Sequence, residues 1–123
     1  MSTSVYIALA AAMVILYKFW SVRRSPAQLQ EAMGLIAAGG ILVDVRTASE
    51  FASGHAPGAI NVPLGSVNTQ LDAIGPRSRV VVVHCASGTR SKMAASQLRA
   101  AGYTTVVDVG TLSNAMAMFR KGG

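Results

Sequence analysis

The sequence predicts an α/β fold: one domain built on a parallel sheet flanked by helices on both faces, preceded by one transmembrane helix. Three observations carry this. The runs Ile41–Val45, Val80–Val83 and Thr104–Val109 are rich in consecutive β-branched residues, as strands buried on both faces are. Stretches of helical spacing alternate with these runs, the pattern of a parallel sheet. Residues 4–20, Ser-Val-Tyr-Ile-Ala-Leu-Ala-Ala-Ala-Met-Val-Ile-Leu-Tyr-Lys-Phe-Trp, carry a single charge, at Lys18.

At ~1.5 Å per residue the N-terminal run is a short but sufficient bilayer span. Lys18 would snorkel, with Tyr17, Phe19 and Trp20 at the interface. A secretory signal peptide would need basic residues before the run and small residues after it. Met1 to Ser4 has no basic side chain, and Lys-Phe-Trp-Ser-Val-Arg-Arg follows. The expectation is an uncleaved single-pass anchor, residues 1–24, ahead of a domain at 25–123. Lys18 near the C-terminal end of the span, and Arg23 and Arg24 just after it, predict a cytoplasmic domain held at the inner cell membrane. These cations would also rest against anionic lipid head groups. Ala8, Ala11 and Ala12 offer a small-residue face for a homodimer through the membrane helix.

Ser25-Pro26 opens a helix in which Leu29, Met33, Ile36 and Ala37 recur, and Gly39-Gly40 stops it. The strand Ile41–Val45 ends at Arg46. Thr47 and Glu50 form a capping box for a short helix that carries Phe51 and ends at Ser53-Gly54. His55 to Pro63 reads as a turn, a brief strand at Ala59–Val62 and a stop. A helix over 64–74 places Leu64, Val67, Leu71 and Ile74 on one side, and Gly75-Pro76 breaks it. Val80–Val83 is the third strand, ended by His84 and Cys85. Ser91 is the expected cap of a helix through Met93, Ala94, Leu98 and Ala101, with Gly102 as its stop. The strand Thr104–Val109 and a closing helix Leu112–Lys121, with Ala115, Met116 and Phe119 inward, complete the chain.

Of 123 residues 51% are hydrophobic and 13% charged, and the apolar excess lies in the N-terminal run. The net charge is +6, and three of those charges are Lys18, Arg23 and Arg24. The remainder is mildly basic without a clustered basic and aromatic pattern, which argues against nucleic acid as a partner. One cysteine excludes an internal disulfide and a clustered-cysteine metal site. A cytoplasmic compartment would keep that thiol reduced.

The cysteine, Cys85, sits where a strand passes into a helix. The small residues Ala86, Ser87, Gly88 and Thr89 let the backbone curl and turn its N–H groups inward, forming a nest for an anion. The helix N-terminus behind them and Arg90 at the lip add positive potential. Together these favour thiolate over thiol and make Cys85 a candidate nucleophile.

Asp44 also ends a strand, so it is expected to face the same crevice as Cys85. An acid is out of place on an anion, so its expected part is to support the loop from behind. Arg46 and Glu50, four apart, are expected to pair. His84 is expected to point away from Cys85, its chain neighbour, and His55, in a Gly/Pro turn, to be structural.

Asp44-Val-Arg46, Glu50-Phe51, Gly54-His55-Ala-Pro-Gly58-Ala59-Ile-Asn61-Val-Pro63 and Cys85-Ala-Ser-Gly88-Thr-Arg90-Ser91 together resemble the rhodanese (thiosulfate sulfurtransferase) family. The resemblance covers residues 26–121, and its specificity comes from several motifs in order. It implies a single rhodanese-homology domain with Cys85 as the catalytic cysteine that carries a persulfide. Ala86, Ser87, Gly88, Thr89 and Arg90 would form the substrate-binding loop, with Arg90 closing it, and Asp44, Arg46 and Ser91 would support it. Many members carry Gly-Gly and then tryptophan near the C-terminus, where this chain has Gly110-Thr111 and Met116.

The chemistry implied is a double displacement. Cys85 takes sulfane sulfur from a small sulfur anion such as thiosulfate and passes it to cyanide, a thiol or a protein, without a metal or organic cofactor. With no second cysteine, the acceptor comes from outside the chain. Phosphatase and arsenate-reductase relatives resemble this loop with one more residue, which widens the ring for a tetrahedral oxyanion. Four residues between Cys85 and Arg90 suit a single added sulfur. A tethered binding module with an incidental cysteine is the reading from a different class.

Overall fold

The valine run lies at the centre of a four-stranded sheet. The computed structural model describes residues 2–120. Strands β1 (Ile41–Asp44), β2 (Ile60–Asn61), β3 (Val81–His84) and β4 (Val106–Gly110) are ordered β2-β1-β3-β4, and every pair is parallel. The helices are α1 (Thr3–Val22), α2 (Pro26–Ala37), α3 (Ala48–Ala52), α4 (Leu71–Ile74), α5 (Thr89–Ala100) and α6 (Leu112–Ala117), with a 3-10 turn at Leu64–Thr69.

Alternation along the strands divides the core into two layers. Ile41, Val43, Val45, Val81, Val83 and Cys85 pack on one face against Ala94, Ala95 and Leu98 of α5. Leu42, Val82 and Val109 pack on the other against Leu29 and Ala32 of α2 and Ala115 of α6. Helices thus cover both faces, as expected for all-parallel strands. Leu98 is fully buried. We expect Leu98→Ala to lower unfolding free energy by about 2–5 kcal/mol, the range for a large-to-small core change. Denaturant unfolding monitored by circular dichroism measures it, and a loss under ~1 kcal/mol would mean that this layer can collapse around the gap.

Both capping boxes form. Thr47 Oγ1 accepts from Glu50 N at 3.2 Å, and Glu50 Oε1 accepts from Thr47 N at 3.0 Å. Ser25 and Gln28 do the same for α2, an arrangement the Ser25-Pro26 reading left out. Several expectations need correction. The stretch 64–74 is a 3-10 turn followed by the single-turn α4, because Gln70 takes a non-helical conformation between them. The last strand begins at Val106 and reaches Gly110. Helix α5 starts at Thr89 after Gly88, so Ser91 lies inside its first turn and is not the cap. In α2, Ala32 is buried and Ala37 exposed. In the C-terminal segment Met118 is 6% exposed and Met116 40%, so Met118 takes the inward place. The closing helix, expected over Leu112–Lys121, ends at Ala117, with Met118 as its C-cap; Lys121 itself lies outside the described residues.

Helix α1 has 20 residues, ~30 Å at 1.5 Å per residue, long and apolar enough to cross a membrane. None of its residues is buried, so it is not a core helix of this domain. Its C-terminal end touches the domain: Asn114 Nδ2 donates to Val22 O at 2.7 Å. Arg24, just after the helix, donates to Asp108 O through Nε at 3.1 Å and Nη2 at 2.9 Å.

Candidate active site

Cys85 follows the last residue of β3 and is fully buried. Its backbone is held on two sides. Cys85 N donates to Gly110 O at the end of β4, 2.9 Å, and His84 Nδ1 donates to Cys85 O, 3.1 Å. The chain then turns through exposed Ala86 and Ser87 to buried Gly88, with an isolated bridge between Ser87 and Thr111. Gly88 has φ +100°, a left-handed conformation that side chains disfavour. That turn aims Gly88 N–H at the sulfur, Gly88 N to Cys85 Sγ being 2.9 Å. Ser91, fully buried, donates from Oγ to Gly88 O at 3.1 Å and to Gly110 O at 3.3 Å. Ser91 therefore ties the loop to the end of β4.

Thr89 and Arg90 are the first residues of α5, so the loop leads directly into a helix N-terminus. N–H groups there have no intrahelical partners, and the helix dipole favours negative charge. A sulfur at the strand end, one N–H already on it and a helix start behind it make an arrangement that can hold a nucleophilic sulfur and an anionic leaving group.

Arg90, the residue expected to close the loop, is paired with Glu50. Its Nη1 donates to Glu50 Oε1 at 2.7 Å and its Nη2 to Glu50 Oε2 at 3.0 Å. Arg90 thus clamps the far end of the loop to α3, and its own pKa is raised by that bond. The hydrogen bonds from Arg90 and then Thr47 hold the Glu50 carboxyl down at about 2, against an ordinary 4.5. A depressed carboxylate stabilises the fold above its unfolded pKa and loses that contribution as pH falls through the folded one. The clamp should be intact above pH 4.5 and open near pH 2. Carboxyl-carbon NMR of Glu50 should give a midpoint near 2, moved toward 4.5 by Arg90→Ala. A midpoint near 4.5 in the unaltered chain would mean that the pair does not form in solution.

The expected Arg46–Glu50 pair is also replaced. Arg46 pairs with Asp44, Nη2 to Oδ2 being 2.7 Å, and the same nitrogen donates to Gly54 O at 2.7 Å. That bond to Asp44 raises the Arg46 pKa. Asn61 Nδ2 bridges Asp44 O and Arg46 O. Asp44 and Arg46 therefore tie β1 to the turn after α3. Asp44 does not share the crevice of Cys85. It stands opposite His84 in the sheet register, one residue short of Cys85, and so on the other face. Burial pushes the His84 pKa down, and its Nε2 lies 3.6 Å from Asp44 Oδ2, beyond hydrogen-bond reach. His84 does point away from Cys85. His55 stacks on Phe51, ring centroids 3.8 Å apart, and its Nδ1 donates to Phe51 O, a structural arrangement.

Of the residues singled out from the sequence, the structure gathers Cys85, Ala86, Ser87, Gly88, Thr89, Arg90 and Ser91 at one edge of the sheet. Asp44 and Arg46 lie apart from the sulfur. The sequence reading missed Gly110 as a support of the loop and Glu50 as the partner of Arg90. Strand-end glycine at 110 was visible; a pairing across 40 residues leaves no local signal.

The class that the fold and site define is a parallel α/β domain with a strand-ending cysteine under a backbone N–H, at the start of a helix. Residues 25–111 match the model of the Rhodanese-like domain, and the chain belongs to that family. It is 38% identical over 69 residues to a sulfurtransferase of Allochromatium vinosum, covering 56% of this chain and 64% of that one. It is 34% identical over 73 residues to thiosulfate sulfurtransferase PspE of Escherichia coli K12, covering 58% and 70%. The YrkF protein of Bacillus subtilis is 32% identical over 68 residues, but the chain spans only 36% of it. A solved rhodanese with anions from E. coli superposes with a TM-score of 0.59 at 32% identity, over 62% of this chain and 91% of that one. The fold is therefore the rhodanese fold, with α1 lying ahead of the matched residues.

Proposed function

We propose that this chain is a membrane-anchored sulfurtransferase that moves sulfane sulfur from a thiosulfate-type donor through Cys85 to a thiophilic acceptor. The observation that carries this is the Gly88 N–H on Cys85 Sγ, in a loop of four residues between Cys85 and Arg90. Kinship with sulfurtransferases supports it. In the first step the Cys85 thiolate attacks the outer sulfur of thiosulfate. The S–S bond of the donor breaks, sulfite leaves with the bonding pair, and Cys85 carries a persulfide. In the second step cyanide or a thiolate attacks the outer persulfide sulfur, and the Cys85 thiolate departs. Gly88 N–H meets the negative sulfur in both steps, and the start of α5 favours the anions that arrive and leave. Ser91 and the Arg90–Glu50 clamp hold the loop in register.

Intact mass before and after thiosulfate tests the reading. One added sulfur, removed by cyanide, is the expected result. Phosphate-ester hydrolysis without sulfur uptake would turn the assignment to a phosphatase, and neither activity would leave a binding module.

Helix α1 supports membrane tethering by its length and its exposed apolar side chains. Lys18, Arg23 and Arg24 at its end support a cytoplasmic domain. A C-terminal reporter that is active in the cytoplasm is the expected outcome; activity only outside it overturns the orientation.

A further inference from the structure

The end of α1 does more than precede the domain. A cleft of about 260 Å³ lies between it and the Cys85 loop. Lys18, Ser21 and Val22 form one wall, and Ser87, Gly88 and Lys92 form the other. At ~30 Å³ per water this is room for about eight or nine waters, enough for a small ion and part of its hydration shell. The cleft is charged. Lys18, Lys92 and Arg24 line it against one carboxylate, Asp108, among the described residues, and Asp108 Oδ1 already accepts from Gly110 N at 2.8 Å. Arg24 is fixed by its bonds to Asp108 O and to Ser21 O.

A single residue, Gly88, stands between the cleft and the buried sulfur. Gly88 lines the cleft and also donates its N–H to Cys85 Sγ. The fit of α1 on that residue is close: a Cβ on Gly88 would fall 2.5 Å from Val22 Cγ1. Asn114 holds Val22 in place through its carbonyl.

The geometry points to a donor-binding role for the membrane-anchoring helix: the cleft between α1 and the loop is where the anionic sulfur donor is held, and Lys18 with Lys92 determines its affinity. This rests on the sulfurtransferase reading and adds to the site two cations outside the loop, one of them in α1. A dianion between two ammonium groups gains from both, and each contribution is screened by salt.

The test uses the full chain in detergent micelles at fixed ionic strength, with persulfide formation followed by intact mass against thiosulfate concentration. Lys18→Gln and Lys92→Gln should each raise the half-saturating thiosulfate concentration about three- to tenfold, with the maximal rate within about twofold of the parent. Lys18→Arg should restore the parent value, and raising the salt should narrow the difference. Arg23→Gln is the control for loss of any cation at this end of α1. Its guanidinium packs over Phe19 and Trp20, 6.0 Å and 5.2 Å from the ring centroids, outside the cleft lining. It should leave half-saturation unchanged. Persulfide formed with equal half-saturation in the parent and Lys18→Gln, or an equal shift in Arg23→Gln, overturns the cleft assignment alone. A parent that gains no sulfur at saturating thiosulfate overturns the sulfurtransferase reading and this one with it.

Discussion

A Cys85→Ser chain is expected to take up no sulfur from thiosulfate and to transfer none to cyanide, while keeping its fold. Serine is nearly the same size as cysteine, and its Oγ can accept the Gly88 N–H that now meets the sulfur. The change therefore leaves the buried donor with a partner and opens no cavity of consequence. What it removes is the nucleophile. An alkoxide is not accessible at neutral pH without a strong base beside it, and the neighbouring His84 faces the other side of the sheet. Turnover above ~1% of the parent in this variant would move the reacting sulfur away from the protein. A variant that failed to unfold cooperatively would instead show that Cys85 is needed for the packing between β3 and α5.

The second large effect belongs to Gly88. Alanine there meets two obstacles. The backbone sits at φ +100°, where a side chain costs about 1–2 kcal/mol, and the new Cβ would fall 2.5 Å from Val22 Cγ1. Valine is stiff, so either α1 shifts or the loop does. A shifted loop moves the N–H away from Cys85 Sγ. Losing one well-placed donor costs about 10²–10³ in rate in other enzymes. We expect Gly88→Ala to slow persulfide formation by at least ~100-fold, with an unchanged far-ultraviolet circular dichroism spectrum. Adding Val22→Gly should recover part of that loss, because it relieves the contact but not the backbone strain. Gly65→Ala is the control, since a Cβ there meets nothing within 4 Å. A rate within threefold of the parent would mean that the N–H contact does not contribute to transfer.

Much of this was legible because the features are local. Consecutive valines at 80–83, the Thr47–Glu50 spacing and the Cys85-to-Arg90 loop are each contained in a few residues. The structure departs where two distant segments set the outcome. Asp44 and Cys85 both end strands, which suggested a common crevice. Which face each presents depends on the register between β1 and β3, and a shift of one residue reverses it. Arg90 has the reach to close its loop, but Glu50, 40 residues earlier, offers two carboxylate oxygens. Arg46 is drawn to Asp44 instead, because Asp44 is buried beside it, 2.7 Å from Oδ2 to Arg46 Nη2. Ser91 looked like a cap by its type and place; Gly88, whose φ only glycine adopts easily, starts the helix earlier.

Only Arg23, Arg24 and Ser25 separate α1 from α2. Three residues reach at most ~11 Å when fully extended, and here Arg24 is bonded to β4. If α1 lies in a bilayer, as proposed above, the domain cannot swing on such a short tie, and Cys85 works at a fixed height above the lipid. Encounters with other membrane-bound molecules then become a search in two dimensions at a set depth. A partner whose sulfur travels at that depth meets the site at a raised effective concentration, and one held farther out never meets it.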